Sequence, residues 1–331
     1  MPAGSLPMSS SPAVSHRDRS LGQGFTRRAW IAGLFGTYAC SAAPRPEGMI
    51  VDTHVHLFAS DKTRFPYHPN APYAPPAADL RAYKMFLDRS KLNHAVIVHP
   101  EPYQDDHRYL EHCLKNEPSP GFFKGTCLFD PIAPDTPDRL DELFQRYPGR
   151  IVAFRIHEMG ERGSEPETSG AIKNRDLQHA GMKNTFHKCH ELGLAVQMHF
   201  LPHYATRIFD LASQFEGVPL ILDHLGRAGQ GTPAEFEEVL RLARLPRCYM
   251  KFSGVNYSSQ QGPPHADAKP IVRKILDAFG PDRIIWGGLG QSIDQFDQAV
   301  QIFEMQLSDL SDADRAKICG LNAMKLFGFA S

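Results

Sequence analysis

The residues in this sequence best suited to chemistry are histidines, and four of them close short apolar runs. Asp52-Thr53-His54-Val55-His56 ends the run that starts at Met49, His199 follows Val196-Gln197-Met198, and His224 follows Ile221-Leu222-Asp223. Side chains alternate faces along a strand, so His54 and His56 point the same way. Two neutral imidazoles side by side suit a divalent transition metal, whereas two imidazolium ions would repel each other. Arg155 and His157 share a face at the end of another run, as do Lys251 and Ser253. A guanidinium there suits a substrate carboxylate through paired hydrogen bonds. The competing reading is structural for each: hydrogen-bonded strand-end histidines, and Arg155 and Lys251 in rim ion pairs. His99 and Tyr103 are further candidates to contact a substrate, and Asp52 is expected to hydrogen-bond the histidines from behind.

Histidines so distant along the chain act together only if the fold gathers their strand ends on one rim. Eight β-branched apolar runs read as strands: 49–53, 94–99, 122–129, 150–156, 194–200, 218–223, 247–253 and 283–287. Helical patterns lie between them at 78–91, 106–117, 137–147, 180–192, 204–214, 232–243 and 266–279, with 294–306 and 311–326 after the last strand. Near-continuous apolar strands are buried on both faces, as in a parallel sheet covered by helices. Eight β–α units in order predict a (β/α)8 TIM barrel, with an open doubly wound sheet as the alternative that periodicity allows. In a barrel the inward side chains at the C-terminal strand ends face the mouth, which is where these histidines would meet. The Pro-rich stretch 61–77 reads as an ordered rim or lid segment.

This ordered set resembles the amidohydrolase superfamily, specifically its amidohydrolase-related group that includes 2-pyrone-4,6-dicarboxylate lactonases and sugar lactonases. The resemblance rests on the His-x-His after the first strand, the histidines closing strands five and six, and Ile221-Leu222-Asp223-His224-Leu225-Gly226. Lys251-Phe252-Ser253-Gly254 and Asp282-Arg283-Ile284-Ile285-Trp286-Gly287 add to it, and it spans about residues 49–327. It implies a metal-dependent-hydrolase barrel in which His54, His56 and His199 are metal ligands. His224 would be a ligand to a second ion or a substrate contact. It further implies a divalent ion of the zinc kind that polarises a carbonyl and lowers the pKa of bound water. Catalytic roles then fall on His224, Arg155 and Lys251, and substrate contacts on Arg155, His157, Ser253, His99 and Tyr103.

The chain departs from that family after the eighth strand. Where the family has Trp-Gly-x-Asp, whose Asp binds metal and accepts the proton of the attacking water, this sequence reads Trp286-Gly287-Gly288-Leu289. Leucine does neither. Asp294, five residues on, would substitute only if the Gly-rich turn brought it back to the mouth.

The leading function is therefore opening of a cyclic ester, with a small and carboxylate-bearing substrate. A metal-dependent decarboxylase of the same superfamily and a catalytically degenerate exported binding protein are the competitors, the latter favoured by Leu289. A formal net charge of -1 in 331 residues gives no electrostatic case for nucleic acid. The six cysteines, Cys40, Cys113, Cys127, Cys189, Cys248 and Cys319, form no Cys-x-x-Cys pair, lie mostly in apolar runs and read as buried free thiols. Residues 1–48 form a separate N-terminal segment and 49–331 the barrel domain. In the former, Arg27-Arg28 precedes the apolar run 31–43, a twin-arginine-like export signal pointing to the periplasm. That run is too short for a permanent membrane span. Translation from Met49 would instead leave a cytoplasmic enzyme, and homo-oligomerisation remains open.

Overall fold

The structure, a computed structural model, describes residues 48–290 and 292–330. The export signal read in Arg27-Arg28 and the run 31–43, with Cys40 inside it, lies outside the described residues. Eight parallel strands pair strictly in sequence order: β1 (Val51–Val55), β2 (His94–Val98), β3 (Phe123–Cys127), β4 (Ile151–Glu158), β5 (Ala195–Phe200), β6 (Leu220–Leu222), β7 (Cys248–Phe252) and β8 (Ile284–Trp286). Helices alternate with most of them: α1 (Leu80–Ser90), α2 (Arg108–Lys115), α3 (Thr136–Arg146), α4 (Ala180–Leu192), α5 (Ala205–Ala212), α6 (Pro233–Arg241), α7 (Lys269–Phe279) and α8 (Ile293–Gln306). This is the (β/α)8 barrel that the strand pattern predicts.

Side chains close the barrel between β8 and β1. Thr53 Oγ1 donates to the Trp286 carbonyl at 2.6 Å. Asp52 Oδ1 accepts from the backbone N–H groups of Gly288, at 2.8 Å, and His54, at 2.9 Å. Asp52 thus clamps the turn after β8 and does not hydrogen-bond the imidazole rings, which corrects the expected role. Burial raises its pKa to about 6. A residue with a Cβ could not replace Gly288 without pressing on Asp52, since that atom would lie 2.9 Å from Oδ2.

The barrel interior is layered. Its floor is apolar: Val51, Val96, Ala153, Ala195, Ile221 and Ile285 pack with Phe327 and Phe329 from the C-terminal end. Above the floor the inward positions turn polar, with Arg155, Gln197, Asp223 and Lys251 all essentially without solvent exposure. In β1 the register shifts between Asp52 and Val55. Val51 therefore joins the floor and Val55 the outer core, while His54 and His56 reach the mouth.

The single last helix expected over 311–326 is instead broken. A short α9 (Asp312–Ala316) leads through one π-helical turn, Lys317–Leu321, into α10 (Asn322–Phe327). The backbone at Gly320 approaches Met49 so closely that a Cβ there would meet the Met49 carbonyl oxygen, so this turn accommodates the start of β1. The five described cysteines are free and buried, and burial raises the pKa of each thiol.

Candidate active site

A row of imidazoles crosses the mouth of the barrel. Ring centroids lie 4.9 Å apart for His56 and His54, 4.6 Å for His54 and His224, 5.3 Å for His224 and His199, and 5.2 Å for His199 and His157. Five histidines from β1, β4, β5 and the turn after β6 thus occupy one rim. Burial is the first cause that keeps them neutral. It lowers His56 to about 4 with help from Arg155, lowers His199 to about 3, and lowers His54 and His224 well below the usual imidazole range. Neutral rings retain the lone pairs that a metal or a proton in flight requires.

Beneath the row sits Asp223, a fully buried carboxylate on the inward face after β6. Lys251 Nζ lies 3.2 Å from its Oδ1, Arg155 Nη2 and Nε each lie 3.2 Å from Oδ2, and the Gln197 amide donates to both oxygens at 2.9 and 3.0 Å. Burial alone would raise the Asp223 pKa. Lys251, His54 and Arg155 outweigh burial and hold it well below the usual carboxylate value. Lys251 Nζ also donates to the Thr53 carbonyl at 3.0 Å. The mouth therefore stands on a layer of fixed, mutually neutralising charge.

His224 is placed by a strained turn. His224, Leu225, Gly226 and Arg227 all have positive φ, between 48° and 60°, a conformation that costs a non-glycine residue about 1–2 kcal/mol. The strain is held by His224 Nδ1 against Ser253 Oγ at 2.9 Å and by Arg227 Nη1, which donates to His199 Nε2 at 2.8 Å. Gly254 is required beside this turn, because its φ is +56° and a Cβ would come within 2.8 Å of His224 Nδ1.

The expected site residues fall into two sets. His54, His56, His199, His224, Arg155, His157, Lys251 and Ser253 share the mouth. His99 and Tyr103 do not join it. His99 Nε2 donates to the Gln104 carbonyl at 2.8 Å and its ring packs 4.4 Å from His107. Tyr103 is buried, with its hydroxyl accepting from the Ala59 N–H at 2.8 Å. The physical reason is parity: Val96 faces the barrel interior, so His99 faces away from it. Two nitrogens of Arg155, expected to clamp a substrate carboxylate, are spent on Asp223. The guanidinium at the rim is that of Arg227, half-buried, 4.0 Å above the Tyr257 ring. Leu289, at φ 58°, lines a cavity of about 400 Å³ with Gly254, Asn256, Trp286, Gln298 and Ile302. Asp294 is exposed in the first turn of α8.

Sequence reasoning did not single out Asp223, Gln197, Arg227 or Glu101. Alternation could have found the first two, since Gln197 shares a face with His199, and Asp223 lies two residues beyond floor residue Ile221. Nothing local marks Arg227, which depends on the left-handed turn. Glu101, in a 3-10 turn after β2, carries no strand signal, yet its Oε1 lies 3.0 Å from His157 Nε2 and 3.6 Å from His199 Nδ1.

The donor set fits a divalent ion of the zinc kind. His56 Nδ1 donates to the Val98 carbonyl at 2.8 Å, which leaves Nε2 with its lone pair, and that atom faces His54 Nε2 at 3.2 Å. With His54 in its Nδ1–H form, its Nδ1 3.6 Å from Asp223 Oδ1, both facing Nε2 atoms carry lone pairs. The 3.2 Å gap suits two bonds of about 2.0–2.1 Å to one ion. Among the described residues, two groups of three potential ligands have atoms all within 4.8 Å of one another: His54 with Asp223 and His224, and Glu101 with His157 and His199. His54 and His199 thus fall in different groups.

The rim above the mouth is ordered by the stretch read as a lid. Phe58 and Ala78 form an antiparallel bridge, His68 N–H donates to the Pro102 carbonyl, and Tyr67 packs on Tyr103. No helix among the described residues is long and apolar enough to cross a membrane.

Comparison with known proteins agrees with this architecture. The family model described as Amidohydrolase matches residues 51–329. A 4-sulfomuconolactone hydrolase from Hydrogenophaga intermedia is 28% identical over 287 residues, covering 84% of this chain and 88% of that protein. Among solved structures, a probable 2-pyrone-4,6-dicarboxylic acid hydrolase from Acinetobacter baumannii, with citric acid bound, superposes with a TM-score of 0.70. It is 20% identical and covers 85% of this chain and 99% of its own. An amidohydrolase from Burkholderia multivorans with bound zinc gives a TM-score of 0.65 at 17% identity, covering 86% and 100% of the two chains. At such identities the two structures speak to the fold alone, whereas the family model spans most of the sequence: the chain belongs to the amidohydrolase family.

Proposed function

We propose that this protein hydrolyses a small lactone that carries an anionic substituent. The observation that carries the proposal is the row of neutral histidines over a buried layer of lysine and arginine, with one further arginine at the rim. The relative named as a 4-sulfomuconolactone hydrolase supports the choice of an anionic cyclic ester.

His54 and His56 would hold a divalent ion, with His224 left free for proton transfer. When bound, that ion polarises the ester carbonyl and lowers the pKa of water. The chain itself supplies the rest. Arg227, 4.0 Å over the Tyr257 ring, binds the substrate's carboxylate or sulfonate and sets the ring in the mouth. Lys251 and Arg155, fixed by Asp223 beneath the histidines, act on negative charge growing on the carbonyl oxygen through a positive field that need not reorganise. His224, held by Ser253, is placed to take a proton from the attacking water and pass it to the departing ring oxygen.

The test is a pH-indicator assay of ring opening over paired lactones that differ only in a carboxylate or sulfonate, with zinc or manganese supplied and then chelated. The proposal expects turnover of the anionic members, with KM raised by Arg227→Met. Release of carbon dioxide from aromatic or enoic acids in place of ring opening, or no turnover of any lactone, contradicts it.

A further inference from the structure

Glu101, His157 and His199 form a second cluster on the β4–β5 side of the mouth. Their ligand atoms all lie within 4.8 Å of one another. Among the described residues Glu101 pairs with no lysine or arginine, and its ion-pair partners are the two imidazoles. Asp223 differs, being already saturated by Lys251, Arg155 and Gln197. The second cluster is also incompletely bonded. Neither His157 nitrogen makes a hydrogen bond of acceptable geometry, although Nε2 is 3.0 Å from Glu101, and His199 Nδ1 has no such bond either. His157 is 2% exposed. Buried polar atoms left unpaired are costly, and His157 Nε2 and His199 Nδ1, both beside one carboxylate without a bond of good geometry, call for a ligand.

We propose that Glu101, His157 and His199 bind a divalent metal ion of the zinc kind, a centre separate from that of His54 and His56. Two imidazoles and one carboxylate make a three-ligand site with positions left open for water or substrate. This centre restores, from the turn after β2, the carboxylate ligand that Leu289 removes from the turn after β8.

Arg227 is coupled to it. A guanidinium only donates, so with Arg227 on Nε2 the His199 ring carries its proton on Nδ1. A metal at Nδ1 requires that proton to move to Nε2, and the Arg227 contact is then lost. Metal binding therefore releases Arg227 toward the substrate anion. This coupling rests on the ring-opening reading for its purpose, while the site itself stands on the geometry of the three ligands.

The experiment is zinc stoichiometry by mass spectrometry on the full chain, stripped and then reloaded, with cobalt absorption as a second readout. Wild type is expected to hold two ions, Glu101→Gln and His157→Asn one each, and His54→Asn with His56→Asn the other one. Arg227→Met is expected to tighten the Glu101 site about tenfold, the gain from removing a charged hydrogen-bond competitor. Thermal melts separate loss of a ligand from loss of the fold. Wild type holding one ion that Glu101→Gln leaves in place overturns the proposal and spares the ring-opening reading. A single ion that Glu101→Gln removes supports the proposal and counts instead against the His54–His56 centre. No bound ion in wild type overturns it.

Discussion

Asp223 Oδ1 and Lys251 Nζ lie 3.2 Å apart, and neither side chain has any solvent exposure. A buried pair of this kind contributes little net stability, but removing one partner strands the other. Asp223→Ala leaves Lys251 and Arg155 facing each other without a counter-charge. It is expected to cost about 3–5 kcal/mol in urea unfolding and to abolish activity. A loss below about 1 kcal/mol would mean that the charge layer is hydrated rather than dry.

Barrel closure by Thr53 gives a second expectation. Thr53→Val keeps the shape and leaves the buried Trp286 carbonyl without the Thr53 donor. The cost should be about 1–3 kcal/mol, measurable in the same unfolding experiment. Thr53→Ser, which retains the hydroxyl, should recover most of it.

Gly254→Ala tests the placement of His224. The new methyl adds strain at positive φ and presses on the His224 ring. The expected result is a fall in kcat of more than about tenfold at unchanged substrate affinity, together with a loss of about 1–2 kcal/mol in stability. Activity equal to wild type would show that the His224 position is not critical.

The pH dependence of stability should carry the signature of His107. This ring is fully buried, its Nε2 accepts from the Leu128 N–H at 3.0 Å, and burial, then His99, lowers its pKa well below 6.5. In the unfolded chain it takes up a proton near pH 6.5. Below that pH the unfolded state binds more protons than the folded one. Stability is thus fully present above pH 6.5 and falls as pH drops, by about 1.4 kcal/mol per unit from this group. His107→Gln, which keeps an acceptor but does not titrate, should be less stable at pH 7 and show a shallower decline to pH 5. An unchanged slope would remove His107 as a contributor.

The barrel was legible because each strand is a β-branched apolar run followed by a helical period, a local signal repeated eight times. The mouth was legible where chemistry coincides with strand parity, as at His199, Lys251 and Ser253, whereas His54 and His56 share a face but reach the mouth through the register shift in β1. Parity also shows why His99 fails as a mouth residue, since it lies three positions beyond inward-facing Val96. Glu101 and Arg227 were not legible. One sits in a 3-10 turn and the other in a left-handed turn, where side-chain direction is set by backbone angles that no hydrophobic period encodes. Asp223 was passed over beside its histidine neighbour, because the sequence does not display the three partners that make it central.

Everything proposed for the mouth depends on His54 and His56 directing two lone pairs at a single point. Anomalous scattering at the zinc edge, from crystals grown with the ion, tests this directly. The account predicts a peak within bonding distance, about 2.0–2.2 Å, of both Nε2 atoms. A fully loaded crystal whose peaks leave both of these nitrogens without metal would contradict it.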